Sequence, residues 1–389
     1  MNARIPRVAV ALPLNAKIPR DMRRGILRYA KEHGPWMIHL LEGREFSQKI
    51  SDLECTGLDG FLGYVMNDDD VRSIERLKVP AVLRWLDSGH LPAEVDRLMR
   101  RSATILTDST AIGRMAAEYY LSGRYENFAY VGEPEDIEWS RTRERAFKEE
   151  LARVGRTCHV FRGPPTRSFA VELPILGEWL KKLPKPVGIF AVHDERARQI
   201  ADACAMMNLS VPFEVGILGS DNDDALCETS YPTLSSIAVD AERAAYIAAK
   251  MLDRFMKGGP ACCRRIVYGP VRVVKRQSTA LSGRRFDPLV EDALRMIELN
   301  ATNGVSIDGV CSLLKMSRRQ LERRFIAAGR GSLLSEINRI KLERARILFG
   351  NDALKLRKIA SDLGFSSVSH FCKIYRARYG ETPRATRKT

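Results

Sequence analysis

The last hundred residues contain the same helical pattern twice, and this repetition constrains the fold more than any other feature of the sequence. The first copy covers residues 307–325 and the second covers residues 356–379. Each copy has the apolar spacing of a short amphipathic helix, a tight turn, and a second helix with a polar and basic outer face. The repetition predicts two helix-turn-helix units. One long helix should connect them and bury Leu334, Ile337, Ile340, Ala345 and Leu348.

In the first unit, Val310, Leu313 and Leu314 are spaced for one buried face of the first helix. Ser317 can cap the second helix, and Gln320 three residues later completes a capping box. The second helix is predicted to bury Leu321 and Phe325 and to expose Arg318, Arg319, Glu322 and Arg323.

The second unit repeats this plan. Gly364 supplies the positive φ that the tight turn requires, and Ser366 or Ser367 can cap the helix that follows. Residues predicted to face inward are Ile359, Ala360, Leu363, Phe371, Ile374 and Tyr375, and those predicted to face outward are Ser369, His370, Lys373 and Arg376.

Most of the excess positive charge lies in this part of the chain. Residues 280–389 contain 22 Lys and Arg against 11 Asp and Glu, a net charge of +11 out of +15 for the whole chain. The other residues are nearly balanced, with 41 basic and 37 acidic side chains. A plain helical bundle with solvated charges explains neither the repetition nor this asymmetry, which is typical of nucleic-acid binding. We therefore expect double-stranded operator DNA as a partner.

The two second helices should enter successive major-groove segments on one face of the DNA. The candidates for base contacts are Arg319 and Arg323 on the first helix and Ser369, His370 and Lys373 on the second. The candidates for phosphate contacts are Arg318 and Arg376, and Glu322 completes the exposed set.

The same residues resemble the AraC/XylS-type transcription regulators over positions 287–387. Two positions depart from the family pattern, since His370 stands where an aromatic ring is usual and Thr386 where Tyr or Phe is usual. The resemblance implies a tandem helix-turn-helix DNA-binding domain. The matching positions are Ile359, Ala360, Gly364, Phe365, Phe371, Tyr375, Gly380, Thr382 and Pro383.

Residues 7–279 alternate short apolar runs with amphipathic helical stretches, as an α/β fold with parallel sheets requires. Two sheets fit the number of strands better than one. The predicted strands are residues 8–12, 60–65, 81–83, 128–131, 187–192, 215–218 and 271–274. The predicted helices are residues 21–32, 70–78, 111–121, 142–154, 170–183 and 195–207.

The expected domains are an effector-binding domain at residues 1–279, a linker at 280–286, and a DNA-binding domain at 287–389. Asp287 can cap the first helix of the last domain, with Pro288 at its first position.

The first domain resembles the LacI-type effector-binding domains, which are similar to periplasmic sugar-binding proteins. The resemblance implies a two-lobed α/β domain whose chain crosses between the lobes three times, here near residues 124–127, 234–237 and 267–270. It also implies that Arg143 and Asp221 clamp the effector, with Asp194 close behind. The likeness is carried by Ser140, Arg143 and Phe147, and by segments 189–197, 216–224 and 271–279.

A LacI-like domain followed by an AraC-type module resembles the xylose-operon regulators. This resemblance implies a sugar-responsive transcription regulator with xylose as its effector, and another pentose, a hexose or a non-pentose ligand as the alternative. A homodimer is expected because LacI-type domains commonly pair, and an activator would also contact RNA polymerase.

Ligands of open parallel sheets bind at the carboxyl ends of the strands. Arg143 provides a planar fork of donors and Asp221 two acceptor oxygens, so one sugar hydroxyl can be held between them. Trp139 can cover the apolar face of the ring. The alternatives are that Asp194 is only an N-cap, Asp221 a solvated turn and Trp139 part of the core. The polar candidates at the strand ends are Asn15, Asn67, Trp139, Arg143, His193, Asp194 and Asp221.

Other classes of protein have little support. The apolar run near the N-terminus has five residues, too few for a signal peptide, and no run is long enough to span a membrane, so a cytoplasmic location is expected. The eight cysteines include no CxxC pair and histidines number six, so neither a metal site nor a cofactor is expected. Signatures of enzymes, such as the P-loop and the nucleophile elbow, are missing. The remaining alternatives are a plain sugar-binding module and an α/β enzyme.

Overall fold

The computed structural model describes residues 4–41, 57–65, 68–85, 98, 102–123, 125–166, 168–260, 265–280, 287–300, 306–329, 331–349 and 354–386. The chain forms two compact units, Met1–Ala280 and Leu281–Thr389. Asn67 and residues 281–286 of the predicted linker lie outside the described residues.

The first unit alternates strands and helices, as predicted. All the predicted strands and helices are present. Strands β2, β5, β7, β10 and β11 were not predicted, because they are short or contain Ser and Thr among the apolar residues. The order is β1 (Arg7–Ala11), α1 (Lys17–His33), β2 (Met37–Leu40), β3 (Gly60–Val65), α2 (Asp68–Leu77), β4 (Ala81–Trp85), β5 (Ser102–Thr107), α3 (Ser109–Leu121), β6 (Asn127–Val131), α4 (Glu138–Ala152), β7 (Cys158–Val160), α5 (Phe169–Lys182), β8 (Val187–Ala191), α6 (Asp194–Met206), β9 (Val215–Asp221), α7 (Asp224–Cys227), β10 (Ser235–Val239), α8 (Ala241–Met256), β11 (Arg265–Tyr268), β12 (Pro270–Val274) and a 3-10 helix (Gln277–Thr279).

Within the described residues, these strands form two six-stranded sheets, one in each lobe. The first lobe has the order β11-β5-β4-β3-β1-β2 with parallel neighbours. The second has the order β12-β10-β9-β8-β6-β7, in which β12 is antiparallel to β10 and the other pairs are parallel. This arrangement is the predicted two-lobed α/β fold.

The helices cover the sheets and place the polar side chains at the strand ends. In the first lobe, α1 and α8 pack together on the sheet and bury Met22, Ile26 and Leu252. In the second lobe, α3 and α4 pack so closely that a Cβ on Gly113 would lie 2.4 Å from the carbonyl oxygen of Arg143. Glycine is therefore required there, and it lets Arg143 lie close to the second sheet.

The first crossing between the lobes differs from the prediction. Strand β5 belongs to the first sheet, whereas α3 packs against α4 of the second lobe. Tyr120 in α3 donates its hydroxyl to the carbonyl of Ile189, at 2.8 Å. The chain therefore crosses at Asp108, and the prediction of residues 124–127 is wrong. The periodicity of a helix does not reveal which of two sheets the helix covers.

The second crossing is also shifted along the chain. Residues 234–237 lie at the start of β10 in the second sheet, while α8 packs against α1 of the first lobe, so the crossing is at Asp240. The third crossing, at Gly269, agrees with the prediction. Asp108 and Asp240 each cap the helix that follows, with Oδ1 accepting from the amide of Ala111 (2.8 Å) and of Arg243 (3.2 Å).

The second unit is helical, as predicted. The capping box of Ser317 and Gln320 is present, Asp287 caps the first helix through the amide of Leu289, and Ser367 caps the last recognition helix. Gly364 has a φ of +68°. The helices are α9 (Pro288–Leu299), α10 (Ile307–Leu313), α11 (Arg318–Ala327), α12 (Leu333–Leu348), α13 (Leu356–Asp362), α14 (Val368–Tyr379) and α15 (Pro383–Thr386).

Each helix-turn-helix unit has its own apolar core, centred on Phe325 in the first and on Phe371 in the second. Two predictions of burial are wrong, because Leu313 is 61% exposed and Leu334 is 49% exposed. Cys311 is buried instead, and Leu313 lies about 160° away from it around the helix. The apolar face therefore keeps Val310 and Leu314 of the predicted residues and excludes Leu313.

Across the described ranges, no helix has both the length and the apolar character needed to cross a membrane. The same ranges contain no cluster of three or more side chains suited to hold a metal ion.

Candidate functional site

A cleft of about 740 Å³ lies between the two lobes of the first unit. The first lobe contributes Asn15, which precedes α1, and Lys17 and Arg20 from the start of α1. The second lobe contributes the carboxyl ends of β6, β8 and β9, including Asp194 and Asp221. The cleft therefore brings together four of the predicted residues, Asn15, His193, Asp194 and Asp221, while Arg143 and Trp139 lie outside its lining.

Arg143 lies on α4 and is only 5% exposed. Its Nη1 donates to the carbonyl of Val192 and, at 3.4 Å, to Ser220 Oγ. Its guanidinium lies 5.0 Å from the ring of Trp139, and its Nε is buried without a hydrogen-bond partner among the described residues. The side chain is therefore held in one orientation while its Nε remains unpaired among the described residues.

Asp221 is the last residue of β9 and is half-buried. Burial raises the pKa of its carboxyl, and the nearby charges of Arg143, His193 and Arg84 oppose that shift. Asp221 has a φ of +102° and Asn222 a φ of +53°. Such backbone conformations cost about 1–3 kcal/mol each and persist only where surrounding contacts enforce them. A freely solvated turn does not account for this environment.

Asp194 stabilises the strained backbone that begins at Asp221 and Asn222. Its Oδ2 accepts from the amide of Asp223 at 2.7 Å and its Oδ1 from Ser236 Oγ at 2.5 Å. Burial and the charge of Asp221 raise the pKa of the Asp194 carboxyl to about 8. The N-cap of α6 is His193, whose Nδ1 accepts from the amide of Arg196, so the alternative of Asp194 as an N-cap is wrong.

Trp139 is half-buried and lies beside the polar side chains of Arg143 and His193. Its ring centroid lies 6.2 Å from that of His193. His193 Nε2 in turn lies 2.7 Å from Glu133 Oε1. Trp139, His193 and Arg143 therefore form one group at the carboxyl ends of the second sheet.

The first lobe also holds an arginine that the sequence analysis missed, outside the lining of the cleft but near Asp221. Arg84 lies on β4, is 9% exposed, and donates to Thr107 Oγ1 at 3.2 Å. Its guanidinium lies 5.1 Å from the ring of Tyr64 and 5.4 Å from that of Tyr268, and its Nε has no partner among the described residues. The charge of Arg84 is also close enough to Asp221 to lower the pKa of its carboxyl. An arginine within an otherwise apolar strand is the signal that could have revealed it.

A second contact between the lobes was also missed. Arg20 on α1 donates Nη2 to both carboxylate oxygens of Asp223, at 2.9 and 2.8 Å. Asp223 follows Asp221 by two residues, so this pair ties the strained loop to the opposite lobe. No pattern in the sequence pairs residues 203 positions apart.

The outer faces of α11 and α14 form the candidate nucleic-acid interface. The predicted side chains are exposed there: Arg318, Arg319, Arg323, Ser369, His370, Lys373 and Arg376. Within the described part of the chain, neither Arg319 nor Arg323 forms an ion pair, whereas the adjacent Arg324 pairs with Asp287 at 2.7 Å. The unpaired arginines are free to meet an external anion.

Glu322 has a different environment from its basic neighbours. It is partly buried, and its Oε2 accepts from the amide of Leu333, at the start of α12, at 3.1 Å. Its carboxylate therefore satisfies a helix end and orients α12 against α11. His370 is held similarly, with Nδ1 3.2 Å from Ser366 Oγ.

Two family models match the chain. A periplasmic binding protein-like domain matches residues 117–279, and a helix-turn-helix domain matches residues 310–389. The order of the two domains is the one predicted from the sequence.

Several known proteins are similar over the whole chain. The xylose operon regulatory protein of Escherichia coli strain K12 is 32% identical over 389 residues, which cover 98% of this chain and 96% of the relative. The protein of the same name from Haemophilus influenzae is 26% identical over 386 residues, covering 98% of both chains. A solved structure of the xylose-binding transcription activator XylR aligns with a TM-score of 0.79 at 28% identity, covering 100% of this chain and 99% of that one.

These relatives are regulators of transcription and not enzymes, in agreement with the sequence analysis. Their similarity extends through both units and so covers the cleft as well as the two helix-turn-helix units. The chain therefore belongs to the family of the xylose operon regulatory proteins and is a sugar-responsive, DNA-binding transcription regulator.

Proposed function

We propose that D-xylose or a closely related pentose binds in the cleft and changes the affinity of the protein for operator DNA. The genes controlled would serve uptake or breakdown of that sugar. The observation that carries this proposal is Asp221, a half-buried carboxylate near Arg143 of its own lobe and Arg84 of the other. The names of the relatives support xylose as the first ligand to test.

The proposed contacts follow from the donors and acceptors available. Arg84 and Arg143 each have a buried Nε without a partner in the described ranges, and Asp221 offers acceptor oxygens next to them. A ring hydroxyl can donate to Asp221 while it accepts from an arginine. Asn15 and Trp139 are proposed to contact the same ligand. Asp194 is proposed to act indirectly, because both its oxygens already bind Asp223 and Ser236.

The charges in the cleft favour a neutral sugar over a sugar phosphate. The lysine and the two arginines that line it are all paired: Lys17 with Asp21 (2.7 Å), Arg20 with Asp223 (2.8 Å) and Arg196 with Glu172 (2.6 Å). Glu133, Glu135 and Glu195 add further negative charge. A phosphate would have to displace an existing carboxylate, whereas a neutral polyol would not.

For DNA, we propose that the exposed residues of α11 and α14 meet two successive major-groove segments. Arg319, Arg323, Ser369, His370 and Lys373 are proposed to contact bases. Arg318 and Arg376 are proposed to contact phosphates. Glu322 is proposed to position the first helix rather than to contact DNA, since it binds the amide of Leu333.

The proposal extends to the assembly and its surroundings. We expect residues 1–279 to bind the effector, 280–286 to form the linker and 287–389 to bind DNA. We expect a homodimer in the cytoplasm, where operator DNA is found, without a membrane partner, a cofactor or a metal ion. If the protein is an activator, RNA polymerase is an additional partner.

The test measures both ligands on the full-length protein. D-xylose, other pentoses, hexoses and D-xylose 5-phosphate are titrated calorimetrically, and operator affinity is measured with a duplex that the protein selects from a randomised library. D-xylose should bind and change the operator affinity, while the phosphate should not bind. Binding at 100 times Kd should also stabilise the first unit by about 2.7 kcal/mol.

Asp221→Ala is the decisive variant, and Asp202→Ala is its control because Asp202 pairs with Arg198 on the surface of α6. Asp221→Ala should abolish sugar binding and leave operator binding without sugar unchanged. If Asp221→Ala binds sugar normally, the site lies elsewhere. If another sugar binds and D-xylose does not, the effector assignment is wrong although the regulator assignment stands.

A further inference from the structure

One arginine joins the loop at the cleft to the last residues of the first unit. We call residues 221–224 the effector loop and residues 275–280 the exit segment. Arg276 in the exit segment donates Nη1 to Asn222 Oδ1 at 2.9 Å and Nη2 to Asp224 Oδ1 at 3.2 Å. Nη1 also donates to the carbonyl of Leu234 at 3.0 Å. The Arg276 side chain is only 9% exposed, so its fork of donors is held in place between loop and segment.

The effector loop itself is connected to both lobes. Asp223 receives the guanidinium of Arg20 from the first lobe, and its amide binds Asp194 in the second. Asp221 and Asn222 have positive φ values, so the loop is strained and depends on these contacts for its conformation. A change in lobe closure, or a ligand at Asp221, therefore alters the position of the groups that Arg276 binds.

The exit segment is attached to the second lobe by a chain of buried hydroxyl groups. Ser278 Oγ donates to the carbonyl of Ile217 at 2.6 Å, and Thr279 Oγ1 lies 2.6 Å from Tyr119 Oη. The amide of Arg276 donates to Ser235 Oγ at 2.8 Å. The segment ends at Ala280, the last residue of the first unit, and the chain continues into the DNA-binding unit.

We propose that Arg276 is the positioning residue that transmits the state of the effector loop to the exit segment, and so couples the effector to DNA binding. This inference rests on the proposed sugar response. Arg276 touches neither ligand in this scheme. Its loss should leave each binding event intact and remove the dependence of one on the other.

The experiment compares Arg276→Met with Arg198→Met in the full chain. Arg198 forms ion pairs with Glu195 and Asp202 on its own helix. Arg198→Met is therefore the control for losing a paired arginine away from the effector loop. D-xylose affinity is measured with and without saturating operator, and operator affinity with and without D-xylose. Allosteric coupling is reciprocal and is typically about 5- to 150-fold, so both pairs of measurements must report the same factor.

Arg276→Met should bind each ligand alone as the wild type does, with the coupling factor reduced to about one, while Arg198→Met keeps the wild-type factor. Arg276→Lys should restore only part of the factor, because an ammonium group cannot replace the planar fork. A wild-type coupling factor in Arg276→Met would overturn the inference. So would an equal loss in Arg198→Met.

A second measurement does not depend on the sugar. Amide hydrogen exchange of the exit segment is followed in the free protein, where the amide of Ser278 binds the carbonyl of Thr233 at 2.9 Å. Asn222→Ala should accelerate exchange at Ser278 and Ala280, and Asp202→Ala should not. If exchange is unchanged in Asn222→Ala, the loop and the segment are not coupled through Arg276. Faster exchange together with no response to any sugar would reject the proposed effector class but retain this coupling.

Discussion

In the first unit, Arg84 and Arg143 are 9% and 5% exposed and are held by carbonyls, hydroxyls and aromatic rings. In the second unit, Arg319 and Arg323 are exposed and pair with no acidic group among the described residues. A neutral sugar offers only hydroxyls that already bind water, so its site needs donors and acceptors fixed before it arrives. DNA brings its own charge, and flexible exposed arginines can adjust to it. In the first unit the protein fixes its contacting groups before the ligand binds. In the second unit the exposed side chains become ordered when DNA binds.

The largest expected effect is that of Arg143→Ala, which removes a buried charge from a fixed network. The variant should lose the sugar response and lower the free energy of unfolding of the first unit by about 1–3 kcal/mol, because buried partners lose their hydrogen bonds. Urea denaturation and calorimetry measure the two effects. Arg319→Ala is the contrasting variant, and its stability should stay within about 0.5 kcal/mol of the wild type. Normal sugar affinity in Arg143→Ala would place the site elsewhere.

The second prediction concerns pH and the buried carboxyl of Asp194. The folded protein raises its pKa from the ordinary value of 3.8 to about 8, so between these values the folded state binds more protons than the unfolded state. Its contribution to stability is therefore fully present below pH 4 and is lost as the pH rises towards 8. Asp194→Asn is uncharged at every pH, and its Oδ1 can accept from the amide of Asp223 while its Nδ2 donates to Ser236 Oγ.

The free energy of unfolding of the first unit, measured in urea from pH 5 to pH 8.5, should therefore fall less steeply with pH in Asp194→Asn than in the wild type. Asp202→Asn, at an exposed position, is the control. Parallel pH profiles for the wild type and Asp194→Asn would show that Asp194 is ionised in the folded protein.

The third prediction uses two adjacent arginines of the second unit. Arg323→Ala should relax base preference at one operator position and weaken binding by about 1–3 kcal/mol, since it is exposed and free. Arg324→Ala should instead weaken only the ion pair with Asp287 and leave base preference unchanged. Anisotropy titrations against a set of singly substituted duplexes distinguish the two. Unchanged affinity and preference in Arg323→Ala would remove it from the base-reading set.

The smallest effect is expected for Arg376→Ala. A lost phosphate contact should weaken binding equally for all sequences and reduce the slope of log K against log salt by about one. Affinities are measured between 50 and 300 mM salt on specific and nonspecific duplexes. A sequence-dependent loss would mean that Arg376 reads bases, and the division between base and phosphate contacts on α14 would need revision.

Local features of the sequence were sufficient for the second unit. The spacing of apolar residues, the Ser317–Gln320 capping box and Gly364 act within a few residues of one another, and the structure confirms each of them. The exceptions are Leu313 and Leu334, whose exposure depends on which neighbouring helix covers them. In the first unit, the strands that the sequence predicted are those with short uninterrupted apolar runs.

Tertiary structure alone decided how the two lobes are connected. The crossing at Asp108, the Arg20–Asp223 pair and the placement of Arg84 near Asp221 all join residues far apart in the chain. The contacts of Arg276 with the effector loop are of the same kind.

The sequence by itself determined the class of the elements that it predicted, the order of the two units and several residues at or near the cleft, among them Arg143 and Asp221. Their partners became visible only in the folded chain. Periodicity and capping are short-range, because they depend on backbone geometry within a few residues. The sheet that a helix covers depends on packing between segments that are distant in the chain. The pairing of buried charges depends on electrostatics between such segments. No local pattern in the sequence encodes either.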